Sequence, residues 1–321
     1  MTSNLKDWLC QACKANKLAL ISHVNPDGDT VGATLALRLA FLRLGKAVDV
    51  ICDGEPSKTF DYLDGFDAYM KPEQAASDYD TVIAVDVPSY GLLGSANKVF
   101  DAAPVRMVID HHATNEGYGD HNLINRSECA CCAVAYGVIS EMGIEMTADI
   151  GACLMTGMST DTGHFQYPYT SAYALRAAGH LREIGVDISF ITRRIYRTQP
   201  MERVMLTKIA YQKMRFEADG QIGVIELTKE DYAKTGCTTA QGDGLVNKAL
   251  EVEGVRMAVL ASEREDGIKM SLRAVEPDTV NDVAFAFGGG GHAQAAGCTI
   301  HAPLETATQM ILEAMTKKLA K

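Results

Sequence analysis

Four groups of histidine and aspartate along the chain have the residue types that metal chemistry requires. The first is Ser22-His23-Val24-Asn25-Pro26-Asp27-Gly28-Asp29, where one imidazole and two carboxylates follow an apolar run within seven residues. It reads either as a metal-binding loop or as a polar turn, since Asn-Pro and Asp-Gly are common turn dipeptides. A calcium loop beginning at Asn25 would need Gly at its sixth position and Glu at its twelfth. Those positions hold Thr30 and Ala36, so that reading fails. The second group is Asp86 alone, closing TVIAVDV; by itself it is equally a cap or loop residue. The third is Asp110-His111-His112 after VRMVI. Neighbouring side chains after a strand project differently, so one histidine can bind a metal while the other faces a substrate. The fourth is Asp161 in GMSTDTGHF, read as a glycine-bounded turn between helices.

Together these groups supply five carboxylates and three imidazoles without a thiolate. Such donors suit Mn²⁺ or Mg²⁺, and they suffice for two ions roughly 3.5–4 Å apart sharing a carboxylate. So many acids would repel one another without cations.

The elements that must hold these residues alternate between strand and helix. Leu18–Val24 is an apolar run ending in a Pro/Gly/Asp loop, as for a buried parallel strand. Thr30–Leu44 has helical spacing, with Gly45 placed to end it. Ala47–Cys52, Thr81–Val87 and Val105–Ile109 are further short strands. The pattern predicts a doubly wound, mainly parallel α/β sheet, and three of the strands run directly into the polar groups. In open α/β sheets ligands bind at the carboxyl ends of strands. From Ser127, read as an N-cap, the chain is mostly helical to about Thr198. A smaller α/β block follows, with strands near Ile222–Leu227, Arg256–Ser262 and Ile268–Arg273. It continues through the four glycines and histidine of Gly288–His292, with an Ala-rich helix start after them, and closes on the helix Leu304–Leu319. The expected division is a catalytic domain over 1–190, a helical linker over 191–205 and a second domain over 206–321.

Bulk composition narrows the partners. The chain has 321 residues and a formal net charge of −11, which argues against gripping a long duplex through its phosphates. A small phosphorylated substrate remains compatible, because bound cations supply local positive charge. No apolar stretch is long enough for a membrane span, and the N-terminus lacks the pattern of a secretory signal, so the expected location is cytoplasmic. The nine cysteines then read as buried thiols rather than a disulfide framework; Cys10 and Cys13 form a lone C-x-x-C with no second pair.

The ordered motifs HVNPDGD, a strand-end Asp86, DHH, TDTG and GGGGH resemble the DHH phosphoesterase superfamily with its associated C-terminal domain. Length and two-block layout are most similar to the branch of bifunctional oligoribonucleases and 3′-phosphoadenosine-5′-phosphate phosphatases. The resemblance implies a first ion held by His23, Asp27 and Asp86, and a second held by Asp29, Asp86, His111 and Asp161, the ions being Mn²⁺ or Mg²⁺. It implies that Asp86 bridges them, that Asp110 orients a histidine, and that His112 touches the scissile phosphate. Arg273 and Gly288, Gly289, Gly290, Gly291 and His292 would bind the substrate's other phosphate or base, with the glycines as a loop that approaches the nucleotide. The active site would lie in the cleft between the two domains. A bridging hydroxide would attack phosphorus, turning short oligoribonucleotides into mononucleotides or the bisphosphate into AMP. One departure is Ala293-Gln294, where many members carry a basic residue.

Relatives with other tasks compete. A family II inorganic pyrophosphatase would carry an S-R-K-Q type signature, which this sequence lacks. A RecJ-type exonuclease would be longer. A stand-alone phosphodiesterase of linear or cyclic dinucleotides stays open, as does a non-catalytic nucleotide-binding regulator, although the latter would be expected to have lost metal ligands. Monomer and homodimer both remain open.

Overall fold

Six short strands build the first sheet: β1 (Lys17–Ile21), β2 (Ala47–Ile51), β3 (Tyr69–Met70), β4 (Thr81–Val85), β5 (Val105–Asp110) and β6 (His121–Ile124). Every pair is parallel, in the order β3-β2-β1-β4-β5-β6. Both faces are covered. On β1, Leu18 and Leu20 enter one core while Ala19 and Ile21 enter the other. Burial on both faces explains why these strands read as continuous apolar runs rather than alternating ones. The order reverses between β1 and β4, which is the switch point where the loops after neighbouring strands diverge.

The computed structural model describes residues 4–319, and the chain divides into two units between Thr198 and Gln199. The helices of the first unit are α1 (Leu5–Lys14), α2 (Gly28–Arg43), α3 (Asn97–Ala102), α4 (Cys131–Glu141), α5 (Ala148–Asp161), α6 (Ala172–Glu183) and α7 (Ile188–Thr192), the last running into a π-helical turn over Arg193–Arg197. α2 is buried at every residue from Gly28 to Leu37 and packs on α4 and α5. Gly45 follows it with φ of 74°, the left-handed C-terminal stop its sequence predicts.

The second unit opens with α8 (Met201–Lys213). Its strands are β7 (Arg215–Glu217), β8 (Ile222–Leu227), β9 (Met257–Arg264), β10 (Gly267–Ala274), β11 (Gly290–His292) and β12 (Ala295–Ile300). They lie in the order β11-β12-β10-β9-β8-β7, antiparallel except for β8 with β9. α9 (Lys229–Thr235), α10 (Asn247–Leu250), α11 (Asn281–Ala286) and α12 (Leu304–Leu319) complete it. Among the described residues no helix is long and apolar enough to cross a membrane.

Four local expectations are corrected. The glycine run is not a free loop, because Gly290–His292 pairs with Ala295–Gly297 as a strand. The segment after it is β12 rather than a helix. Backbone presses on backbone here: a Cβ at Gly289 would stand 2.1 Å from the Gly297 carbonyl oxygen. Asp161 is the last residue of α5 rather than part of a turn. Ser127 does not cap a helix, since α4 begins at Cys131.

Candidate metal centre

The α2 N-terminus organises the first motif. Asp27 is its N-cap, and Oδ1 accepts from the N–H groups of Asp29 and Thr30, both at 3.0 Å. An Asp at this position satisfies donors that the first helical turn leaves open. Its second oxygen makes no bond within the cap. His23, on the loop after β1, accepts the Asn25 N–H at Nδ1 (3.2 Å), which fixes its ring. Burial pushes the His23 pKa below the usual histidine value, against the pull of Asp27, so it is held neutral and able to coordinate.

Asp29 is the second residue of α2 and is fully buried. Its Oδ2 accepts the Cys131 N–H at 2.5 Å and its Oδ1 the Cys132 N–H at 2.9 Å. This side chain, arriving from α2, caps α4 in place of Ser127. Close packing permits the arrangement: a Cβ on Gly157 would sit 2.5 Å from Asp29 Oδ1 and 2.2 Å from Cys132 Sγ.

Asp86 follows β4 in the left-handed region, with φ of 58°. That conformation is uncommon for a residue other than glycine and is held where the surroundings impose it, often at functional sites. Thr30 Oγ1 donates to Asp86 Oδ2 at 2.7 Å, whereas Asp86 Oδ1 is buried with no hydrogen-bond partner. His111 Nε2 is likewise buried and without one. It lies 3.6 Å from Asp86 Oδ1, 3.8 Å from Asp29 Oδ2 and 3.3 Å from Asp161 Oδ2, the last without the alignment of a hydrogen bond. Asp110 ends β5 and is satisfied throughout. Its Oδ1 faces His112 Nδ1 at 2.8 Å and accepts the His111 N–H, while Oδ2 accepts from Asn115 at 2.6 Å.

The electrostatics follow. Burial first, then Asp27 and Asp161, push the Asp86 carboxyl up to about 7, and burial with Asp161 and Asp86 raises Asp29 well above the usual range. For His111 burial alone would lower the pKa, but Asp161, Asp29 and Asp86 lift it to about 10. His112 is also raised, through Asp110 and Asp86, despite burial. Asp110 is lowered, because bonds from His112 and Asn115 outweigh its burial.

The structure therefore gathers all eight motif residues of the first unit. Donor atoms of His23, Asp27 and Asp86 lie within 4.8 Å of one another, as do those of Asp29, His111 and Asp161, and those of Asp86, Asp110, His111 and His112. Arg273 and His292 belong to the other sheet, where both are register partners of Ala295, so the three share one row and one face. Sequence reading missed Thr30, Asn115 and Gly157. Thr30 carries a signal, as the third residue after a capping Asp. Asn115 carries none, because its partner Asp110 depends on how the loop after β5 folds back.

Residues 17–158 match the DHH family, N-terminal domain, and residues 219–321 match the DHHA1 domain, which together account for most of the chain. The chain belongs to the DHH family. This DHH protein is similar to the bifunctional oligoribonuclease and PAP phosphatase NrnA of Thermus thermophilus, with 29% identity over 94% of this chain and 90% of the relative. The Bacillus subtilis protein of the same name is 24% identical over 88% of this chain and 89% of its own. Among solved structures, an exopolyphosphatase-related protein from Bacteroides fragilis superposes with a TM-score of 0.87 and 25% identity, covering 98% of this chain and 96% of its own.

Proposed function

We propose that this chain is a two-metal phosphoesterase that hydrolyses short oligoribonucleotides to mononucleotides and 3′-phosphoadenosine-5′-phosphate to AMP. The observation that carries the reading is the pair of buried, unpartnered atoms 3.6 Å apart, Asp86 Oδ1 and His111 Nε2, each within a group of converging donors. A buried polar atom without a partner is costly, and a cation between such atoms removes that cost. In this reading His23, Asp27 and Asp86 hold one ion, and Asp29, Asp86, His111 and Asp161 hold the other. The oxygen and nitrogen donors fit Mn²⁺ or Mg²⁺. When bound, such a pair supplies an activated water and cancels phosphoryl charge.

The chain's own groups do the rest. Asp110, fixed by Asn115, holds His112 through Nδ1 and favours its protonated form. The Nε2–H of His112 is thereby set to donate to a phosphoryl oxygen as charge builds there. Arg273 and His292, in one row of the second sheet, would hold a further phosphate or the base. The relatives' names support the short-nucleotide substrates, and the net charge of −11 disfavours a long polyanion.

Incubation with Mn²⁺ and, in parallel, the bisphosphate, a dinucleotide, a pentanucleotide and pyrophosphate tests the reading. Chelator-sensitive release of AMP and mononucleotides is expected. No product from the bisphosphate or from either RNA sinks the proposal, and turnover of pyrophosphate alone replaces the ester with an anhydride.

A further inference from the structure

Immediately after Asp161 the backbone does something unusual. Gly163, His164 and Phe165 take φ values of 57°, 62° and 63° in succession. Consecutive left-handed residues that are not glycine persist only where the surroundings hold them. The surroundings here are specific. The His164 N–H donates to the Ser159 carbonyl at 2.7 Å, and Thr162 Oγ1 accepts the Phe165 N–H at 2.8 Å. Phe165 packs against the core. The chain then turns through Tyr167-Pro168-Tyr169-Thr170, closed by the Thr170 N–H to the Tyr167 carbonyl at 3.0 Å.

This detour presents two tyrosine rings. Tyr167 and Tyr169 have centroids 5.5 Å apart at an interplanar angle of 40°, yet they are 48% and 60% exposed. Neither ring is loose. The Tyr169 hydroxyl donates to the Asp161 main-chain carbonyl at 3.0 Å. The Tyr167 ring rests on Gly163, where a Cβ would approach Cζ to 2.6 Å. A pair of rigid rings left in solvent, tied by a hydrogen bond to a residue whose carboxylate joins the metal cluster, is not core packing.

We propose that Tyr167 and Tyr169 form a platform on which a nucleobase of the substrate stacks. Aromatic side chains bind unpaired bases through their π-faces, and because every base has such a face the contact tolerates sequence. Rings already fixed in place lose little freedom on binding. The platform rests on the phosphoesterase reading above, and it assigns to the first unit a base-binding role separate from that of Arg273 and His292.

The test is equilibrium binding to the full chain in EDTA, using a 5′-phosphorylated adenine dinucleotide and its counterpart of equal charge with abasic sugars. The wild type should prefer the base-bearing ligand by about 5- to 150-fold, the range for stacking one base. Tyr167→Ala/Tyr169→Ala should bring the two ligands to near-equal affinity by weakening the first alone. Tyr169→Phe, which keeps the ring, should retain most of the preference. Tyr169→Ala alone, with an unchanged melting temperature, covers the case in which the double variant misfolds. Equal weakening of both ligands, no weakening at all, or a wild type indifferent to the bases would overturn the platform. Hydrolysis does not enter this measurement, so failure of the phosphoesterase reading would be seen separately.

Discussion

Both units bury aspartates, and Asp231 of the second and Asp86 of the first are treated in opposite ways. In the second unit Asp231 sits at the start of α9, where it accepts from the N–H and hydroxyl of Thr228 and pairs with Lys213. Those bonds pull its pKa below the usual range despite burial. In the first unit Asp86 keeps one oxygen without a partner and is pushed up to about 7 by burial and by Asp27. The chain gathers three donors on one oxygen of the first carboxylate and leaves a buried oxygen of the second without any. A fold has no structural reason to retain the second arrangement, so the difference marks which buried charge serves structure and which awaits a ligand.

The sharpest way to break the comparison is Asp86→Asn. Turnover should fall by at least about 10²–10³-fold, the scale on which removing one preorganised electrostatic group acts; near-normal kcat would show that Asp86 does not bridge the ions. The same variant should stabilise the protein in EDTA at neutral pH, because it removes a repelled buried charge. The sign follows from linkage. Asp86 and His111 both have raised pKa values, so the folded chain binds protons that the unfolded chain has released. Stability is therefore present at low pH and lost as pH rises, through about 7 for Asp86 and towards 10 for His111. In EDTA the wild-type melting temperature should drop between pH 5 and 8. Mn²⁺ at 100 times its Kd should restore about 2.7 kcal/mol at the upper end. A flat profile in EDTA would contradict the buried-charge account.

Substitutions in the second sheet should separate binding from chemistry. Arg273→Ala and His292→Ala should raise KM by about 10- to 100-fold, as expected for lost charge-assisted hydrogen bonds, with kcat and Mn²⁺ affinity nearly unchanged. Loss of Mn²⁺ affinity in either variant would show that the two sheets do not divide the work in this way.

Much of this was legible in the sequence for one reason. Parallel strands buried on both faces are continuous apolar runs, and the polar groups that end them stand at the sheet's ligand-binding end, so β1, β4 and β5 pointed to His23, Asp86 and Asp110 directly. The helix ending at Asp161 and the strand at Gly290–His292 were misread because local rules favour turns and loops at glycine. The first is decided by a distant partner, α2, and the second by the neighbouring strand Ala295–Gly297, which the expectation of a helix after the glycines concealed. Asn115 and the Asp29 cap of α4 could not be read at all. The first depends on loop geometry, and the second joins residues 102 and 103 positions apart.

For Asp231, whose Oδ2 takes three donors from the chain, the expected sign is reversed. Asp231→Asn should cost about 1–3 kcal/mol, through the weakened capping box and the loss of the charge that Lys213 pairs. The lowered pKa means that this contribution is present above the ordinary aspartate pKa and lost as pH falls through the folded value. Chemical denaturation at pH 7 and pH 3 should show a smaller deficit for the variant at the lower pH. An equal deficit at both would place the cost in packing instead.

The smallest expected effect concerns Ser127. A serine that caps a helix typically costs about 1 kcal/mol when replaced by alanine. Here its hydroxyl instead donates to the Asn125 side chain at 2.7 Å on the surface, and Asp29 serves the first N–H groups of α4. Ser127→Ala should therefore change stability by less than about 0.5 kcal/mol, whereas Asp29→Ala should fray α4 and lose a metal ligand together. If denaturation of Ser127→Ala shows the full cost of a lost cap, then α4 starts earlier in solution and Asp29 is free to turn both oxygens toward a metal. The size of a surface serine's effect thus reports how firmly a buried carboxylate is committed to the helix it caps.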